Sequence, residues 1–225
     1  MSAAAAAAAV RQGNVADLRR LLAGNPALAT MRIDGARTLL HIATDWPGHF
    51  PHNTVTVSTL IAHGAEVNAP FIGNHTETPL HWAASCDDVE VIDVLLDRGA
   101  NIEAAGAVIG GGTALADAVA FGQWRAARRL IERGAQSTLW QAAALGLINR
   151  VEGHFASGAT PVPPSEITNA FWCACHGGQR ATAEYLLARG ADSRWVGYDG
   201  LTPVEAARRS GASELVTWLE RQPSH

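Results

Sequence analysis

The chain has 225 residues and a formal net charge of −4, and 48% of its residues are hydrophobic. No run of basic residues is present, so the electrostatic signature of a nucleic-acid-binding protein is absent. All 17 basic residues are arginine, which together with the high alanine content indicates a GC-rich bacterial source. The three cysteines have no disulfide spacing, so reduced thiols and a cytoplasmic location are expected.

The first residues are rich in alanine and continue into an amphipathic pattern. This apolar run is too short to span a bilayer and no positive charge precedes it, so neither a membrane segment nor a signal peptide is predicted. Gly13 separates two helical stretches, and Gly24-Asn25-Pro26 ends the second. We interpret residues 3–36 as an N-terminal capping helix pair that exposes its arginines.

The next helix begins at Thr38 and is interrupted by an insertion, Asp45–His52. The prolines and glycine of this insertion prevent a continuous helix. Asp45, His49 and His52 have a spacing that could present one carboxylate and two imidazoles to a metal ion. Because the prolines leave their geometry undefined, no metal site is assigned.

A complete structural unit follows, with the sequence TPLHWAASCDDVEVIDVLLDRGA, Thr78–Ala100. Pro79 suits the first position of a helix. Asp87 is expected to cap a second helix with Glu90 at the reciprocal position, and Gly99 permits a left-handed stop. Two helices this short cannot bury their apolar stripe alone, so copies of the unit are expected on either side.

Copies of this unit recur along the chain. The opening positions are Thr38, Thr78, Thr113, Ser137, Asn169 and Thr202, and the closing pairs are Gly64-Ala65, Gly99-Ala100, Gly134-Ala135, Gly158-Ala159 and Gly190-Ala191. The stretch Thr78–Ala83 resembles the T-P-L-H-x-A signature of the ankyrin-repeat family, whose repeat is about 33 residues long. The resemblance implies an all-α ankyrin-repeat solenoid of about seven helix-turn-helix repeats with short hairpin fingers. It implies a single domain over 1–225, with a cap repeat at 3–36, central repeats at 37–201 and a second cap repeat at 202–225.

Several repeats depart from this pattern. The finger before Thr113 contains Ile109 and three consecutive glycines, 110–112, and is therefore apolar and pliable. The finger before Ser137 is missing, and the fifth repeat carries Trp140 at the consensus histidine position. In the sixth repeat, Cys173-x-Cys175-His176 resembles metal-ligand chemistry, but residues two apart on a helix point about 200° apart, so the two thiols cannot share a metal.

In this family the inner helices and fingers line a concave face that usually binds another protein. The repeat register predicts that the residues facing this groove are Ile42, Asp45, Trp46, Trp82, Ser85, Cys86, Asp117, Ala120, Phe121, Gln141, Ala144, Leu145, Cys173, His176 and Glu205. The predicted lining is apolar and aromatic, which is typical of a small-molecule pocket. The residues predicted to contact a partner or ligand are Trp46, Trp82, Cys86, Phe121, Cys173 and Ile109.

Asp117 is the principal candidate for chemistry. Burial beside Trp82 is expected to raise its pKa toward the range that a general acid or base needs. The alternative is that Asp117 accepts hydrogen bonds from the glycine loop and fixes it. Asp45, His176 and His75 complete the catalytic candidates, since a pair of Asp117 or Asp45 with His176 or His75 could transfer protons.

Other polar residues are expected to be structural or exposed. The family uses the consensus histidine, here His41 and His81, to bond the backbone between repeats. His75 and Glu77 lie at the tip and base of a finger, where polar residues normally face solvent. No phosphate loop, nucleophile elbow or dinucleotide fingerprint occurs, so neither a cofactor nor a metal is predicted.

Two functions remain open. The first is a binding module that recognises a protein partner through the concave, aromatic-lined groove. The second is a small-molecule-binding protein or enzyme with an acid–base pocket in the same groove, centred on Asp117, over which the insertion and the fingers could close. Neither a nucleic acid nor a membrane is an expected partner.

Overall fold

The structure is a computed structural model that describes residues 2–156 and 160–222. Within these ranges the chain forms fourteen α-helices, two short 3₁₀ helices and no strand. The prediction of an all-α fold with about seven helix pairs is confirmed. The predicted closing pair Gly158-Ala159 lies outside the described ranges. No helix in the described part of the chain combines the length and the apolar character needed to cross a bilayer.

The chain divides into two compact units, Met1–Gln136 and Ser137–His225. The division falls where the sequence lacks a finger, between the fourth and fifth repeats. The single-domain assignment stays a prediction, and each unit is described by itself below.

The first unit contains eight α-helices and one 3₁₀ helix, Pro26–Ala29. The α-helices are α1 (Ala3–Gln12), α2 (Val15–Gly24), α3 (Leu39–Thr44), α4 (Asn53–Ala62), α5 (Pro79–Ser85), α6 (Val89–Asp97), α7 (Ala114–Ala120) and α8 (Trp124–Glu132). The inner helix α5 packs between α3 and α7, while the outer helix α6 packs between α4 and α8. Inner and outer helices therefore form two layers, as the repeat register requires.

The core of the first unit is built from the stripes that the sequence predicts. Helix α5 buries Leu80, Ala83 and Ala84, whose small side chains permit close approach of the neighbouring helices. Helix α6 buries Val91, Ile92 and Leu95. The glycine that follows α6, Gly99, has φ +88°, a left-handed conformation that ends the helix without a Cβ clash.

The consensus histidines bond the backbone between repeats, as expected. His41 Nδ1 lies 2.9 Å from Thr38 Oγ1, and its Nε2 lies 3.1 Å from the carbonyl oxygen of Glu77 in the next repeat. His81 Nδ1 lies 3.0 Å from Thr78 Oγ1. Burial lowers the pKa of His41 to about 4 and also lowers the pKa of His81. Both imidazoles are therefore neutral structural groups at neutral pH.

The predicted cap of α6 is wrong by one residue. Asp88, rather than Asp87, caps the helix, and its carboxylate accepts the N–H of Val91 at 3.3 Å. Asp87 has φ 56° and turns toward the next repeat, where its carboxylate accepts the N–H of Ala126 in α8 at 2.7 Å. Asp87 therefore binds an N–H group in the first turn of a helix that lies one repeat away.

The Asp45–His52 insertion packs against the following repeat. Its Gly48 lies so close to Cys86 that a Cβ on Gly48 would come within 2.7 Å of the Cys86 Cβ. The insertion residue His49 is held by the same repeat, because its Nε2 lies 2.9 Å from the Cys86 carbonyl oxygen and its N–H donates to Asp88 at 3.2 Å. The insertion is thus fixed by the third repeat.

The second unit contains six α-helices and a 3₁₀ helix, Tyr198–Gly200. The α-helices are α9 (Leu139–Ala144), α10 (Ile148–Gly153), α11 (Pro164–His176), α12 (Arg180–Leu187), α13 (Pro203–Arg209) and α14 (Ser213–Leu219). The inner helix α11 packs between α9 and α13.

Two predicted openings in this unit are corrected. Helix α9 is capped by Thr138, and the side chain of Gln141 accepts the Thr138 N–H at 2.8 Å. Gln141 therefore occupies the position of the consensus histidine, which the sequence analysis gave to Trp140. Helix α11 begins at Pro164 instead of near Asn169, since a proline favours the first turn of a helix.

Candidate functional site

The first unit contains a buried carboxylate at the base of the third finger. Glu77 is only 6% exposed, so the expectation that it faces solvent is wrong. Its Oε2 accepts the indole N–H of Trp82 at 2.8 Å, and its Oε1 accepts the N–H of Val108 at 3.0 Å. Its backbone carbonyl accepts the N–H of Phe71 at 2.7 Å and lies 3.1 Å from His41 Nε2. One residue thus joins the second, third and fourth repeats.

Four rings surround this carboxylate. His41 and Trp82 meet edge to face with their centroids 5.0 Å apart, and Phe71 lies 5.7 Å from Trp82. Phe71 also stacks on His75, with centroids 4.4 Å apart and planes within 8°. These contacts exclude water from most of the Glu77 side chain and fix the plane of the His75 ring.

His75 reaches back toward the same carboxylate. Its Nδ1 lies 3.1 Å from Glu77 Oε2 and is itself buried, while the whole side chain is 20% exposed. The exposed part of the imidazole therefore belongs to the other edge of the ring. The structure brings together His75, which the sequence analysis named, and Glu77, which it left off the list of candidates.

Asp117 is fully buried in α7 and does not face an open groove. Neither of its carboxyl oxygens has a well-formed hydrogen bond within the described residues. Burial and, after it, the nearby side chain of Glu77 raise its pKa to about 8, while the N–H of Ile109 acts in the opposite direction. A second carboxyl group therefore lies beside Glu77 and keeps its proton at neutral pH.

The glycine loop is held by its own backbone and by Glu77. The N–H of Gly106 donates to the carbonyl of Gly111 at 3.1 Å, and the N–H of Gly111 donates to Ala107 at 3.0 Å. The bond from Val108 to Glu77 ties this loop to the third finger. The alternative role for Asp117, in which it accepts hydrogen bonds from Gly110–Gly112, is therefore not observed.

An open crevice of about 570 Å³ lies between the two finger loops. Most of the residues that line it have small side chains, and none of them carries a carboxylate or a guanidinium group. The walls are formed by Gly73, Asn74, His75, Thr76, Gly106, Ala107, Val108, Gly110 and Gly111. His75 is thus the residue that joins the crevice to the buried carboxyl groups. We refer to this space as the finger crevice.

The remaining candidates of the first unit lie elsewhere. Asp45 forms an ion pair with Arg37 at 2.9 Å. Trp46 is 82% exposed and Phe121 is 50% exposed. Cys86 is buried instead of lining a groove, and burial raises its pKa to about 11. Trp46 and Phe121 are therefore exposed aromatic side chains, whereas Asp45 and Cys86 hold local structure.

The predicted candidates of the second unit are less accessible than expected. Cys173 is buried, and burial raises the pKa of its thiol to about 12. His176 stacks on Trp172 with ring centroids 5.6 Å apart, and its Nδ1 lies 3.5 Å from a guanidinium nitrogen of Arg209. These contacts are typical of a packed helix terminus.

The insertion does not assemble the ligand set that its spacing suggested. Within the described residues, a different set of one histidine and two carboxylates has its possible ligand atoms within 4.8 Å of one another: His49, Asp88 and Glu90. His49 Nε2 is already bonded to a carbonyl, and Asp88 accepts three N–H groups as a helix cap. The arrangement is accounted for by these structural bonds.

Comparison with known proteins agrees with the fold. Residues 5–106 match the family model described as ankyrin repeats (3 copies). The human ASB11 ankyrin repeat domain has a similar structure, with a TM-score of 0.57 and 18% sequence identity over 97% of this chain and 99% of that chain. The family match over residues 5–106, the paired helices and the histidine bonds between repeats agree, and the chain has an ankyrin-repeat fold.

Proposed function

We propose that the chain binds a protein partner through the inner-helix face of its first unit, with Trp46 as the principal anchor. Among the large hydrophobic side chains of the described residues, Trp46 is the most exposed, at 82%. Phe121 holds the equivalent register position two repeats further along, since it follows Thr113 by the same eight residues that separate Trp46 from Thr38. Ankyrin repeats are typically protein-interaction modules, and exposed aromatic residues are enriched among binding hot spots.

The backbone that carries the Trp46 side chain is held in place before any partner arrives. The N–H of Trp46 donates to the Asp45 carboxylate at 3.0 Å, and that carboxylate also binds Arg37. The insertion beyond Trp46 is fixed through His49 to the third repeat. An aromatic side chain on a rigid turn loses little conformational freedom on binding, which favours affinity.

The test compares Trp46→Ala with Val55→Ala, a matched control on the exposed face of α4. A purified partner should bind the Trp46→Ala variant about 30-fold more weakly, because a hot-spot aromatic contributes about 2 kcal/mol or more. The control should bind normally, and both variants should unfold like the parent chain. Equal binding of the two variants, measured by calorimetry, would exclude this face.

The buried carboxyl groups favour a second candidate function, an acid–base site for a small molecule near Asp117. A neutral carboxyl group beside a carboxylate is a common arrangement in active sites. A metabolite that raises the melting temperature of the parent chain but not of Asp117→Asn would support this function. Identical responses of the two chains across a metabolite collection would argue against it.

A further inference from the structure

We propose that His75 and Glu77 form an imidazole–carboxylate dyad that transfers a proton on a small, uncharged carbonyl compound bound in the finger crevice. The proposal rests on the second candidate function above and names its base, its positioning residue and its class of ligand. Three observations carry it: the orientation of His75, the anchoring of Glu77 and the composition of the crevice walls.

The first observation is the orientation of the imidazole. Nδ1 is buried 3.1 Å from Glu77 Oε2, so it lies beside a carboxylate, although the two atoms do not have the geometry of a hydrogen bond. This contact is not linear, and catalytic hydrogen bonds are often poorly aligned until a ligand binds. With the proton on Nδ1, the lone pair of Nε2 lies on the edge of the ring that borders the crevice. The imidazole is therefore a base aimed at the open space.

The second observation is that Glu77 cannot turn away from His75. The Trp82 indole fixes its Oε2 and the Val108 N–H fixes its Oε1. A carboxylate anchored in this way sets the tautomer of the imidazole and stabilises the imidazolium that forms after proton transfer. Asp117, which is buried and holds a proton, lies behind Glu77 and adds no second negative charge. Glu77 is thus a positioning residue for His75.

The third observation concerns the ligand. The crevice walls carry no charged side chain other than a protonated His75, so an uncharged ligand fits them best. The backbone N–H groups of Gly73, Asn74 and His75 donate no hydrogen bond within the described residues. N–H groups of this kind can bind a carbonyl oxygen and the negative charge that develops on it.

The proton transfer balances within the ligand. His75 Nε2 takes a proton from the carbon next to the carbonyl group, and the electron pair of the broken C–H bond forms the C=C bond of an enolate. The carbonyl π electrons move to the oxygen, which the backbone N–H groups stabilise. Return of the proton to the oxygen gives the enol. In an α-hydroxy ketone the hydroxyl proton can instead move to the former carbonyl oxygen, and protonation of the former carbonyl carbon then gives the isomeric hydroxy aldehyde, so no co-reactant is needed. The reaction class is therefore isomerisation of a small carbonyl compound.

The tautomer of His75 is the first test, measured by long-range ¹H–¹⁵N NMR on the full chain. The parent chain should show the proton on Nδ1, and Glu77→Gln should move it to Nε2 in most molecules. His63 is the internal control, because its Nδ1 bonds the Thr59 carbonyl at 2.8 Å and it does not line the crevice. A His75 proton on Nε2 in the parent chain, or an unchanged tautomer in Glu77→Gln, overturns the dyad.

Proton transfer is the second test, with hydroxyacetone in D₂O as the probe. The parent chain should exchange the α-protons of hydroxyacetone at least tenfold faster than His75→Ala does, and circular dichroism checks that the variant is folded. Equal rates overturn the proposed chemistry. If His75→Ala keeps a metabolite response that Asp117→Asn loses, the dyad fails while the acid–base site near Asp117 stands.

Discussion

The burial of Asp117 has a measurable consequence for the pH dependence of stability. The pKa of this carboxyl group is about 8 in the folded chain, against 3.8 for an ordinary aspartate, and burial is the main cause. The native state therefore keeps a proton that the unfolded state releases. The contribution of Asp117 to stability is fully present below pH 3.8 and is lost as the pH rises to about 8. The maximum slope is about 1.4 kcal/mol per pH unit for one proton.

The pH range from 6.5 to 8 separates the titration of Asp117 from that of the buried histidines and thiols. Buried His41 and His81 have lowered pKa values, so they make stability rise with pH below 6.5 and oppose the effect of Asp117 there. The buried thiols of Cys86 and Cys173, with raised pKa values, lower stability only toward pH 9 and above. Between pH 6.5 and 8 the free energy of unfolding should fall by about 2 kcal/mol.

The measurement is urea unfolding of the full chain at half-unit steps of pH and constant ionic strength. Asp117→Asn should abolish the fall, because an amide cannot release the proton. Asp97→Asn is the control, since Asp97 is an exposed partner of Arg133 and should leave the slope unchanged. A parent chain whose stability is flat across this window, or an Asp117→Asn variant with the parental slope, would refute the assignment of a buried proton to Asp117.

Two further changes test the fold. Leu95→Ala removes a fully buried side chain of α6 and should lower the free energy of unfolding by ~2–5 kcal/mol in urea titrations; a loss below 1 kcal/mol would contradict this packing. Gly106→Ala should destabilise the fourth finger, because a Cβ would lie 2.4 Å from Thr76 Oγ1 and φ is +128°. Gly110→Ala is its control, because Gly110 also has a left-handed φ but open space around the added Cβ. Gly106→Ala should lower the melting temperature more than Gly110→Ala does.

The fold could be predicted from the sequence because the signals that specify it are local. A Thr-Pro opening, an apolar stripe and a Gly-Ala stop lie within one repeat, and repeats contact their neighbours through the same positions. The cap of α6 was misassigned because Asp87 and Asp88 are equally good caps by residue type. The left-handed φ of Asp87, which aims it at the next repeat, decides between them.

The candidate site was predicted only in part, because its central residue is defined by distant partners. Glu77 is buried by contacts with His41 and Val108, which lie about 30 residues away in the chain on either side. The sequence analysis expected Asp117 in the groove, whereas its side chain is fully buried in α7, because the neighbouring repeats contribute contacts that the register does not show. The sequence did contain one signal for this site: His75 and Glu77 lie close together in one finger, and the next finger is rich in glycine.

Glu77 also has a consequence for how the first unit opens. In a repeat protein with uniform interfaces, each terminal repeat can detach while the others stay folded. Here one side chain and its carbonyl group are bonded to residues of the second, third and fourth repeats. Opening of any one of these repeats leaves a buried carboxylate or carbonyl without its partner, at a cost of about 1–3 kcal/mol. The three repeats are therefore coupled, and their amide protons should exchange as one cooperative block.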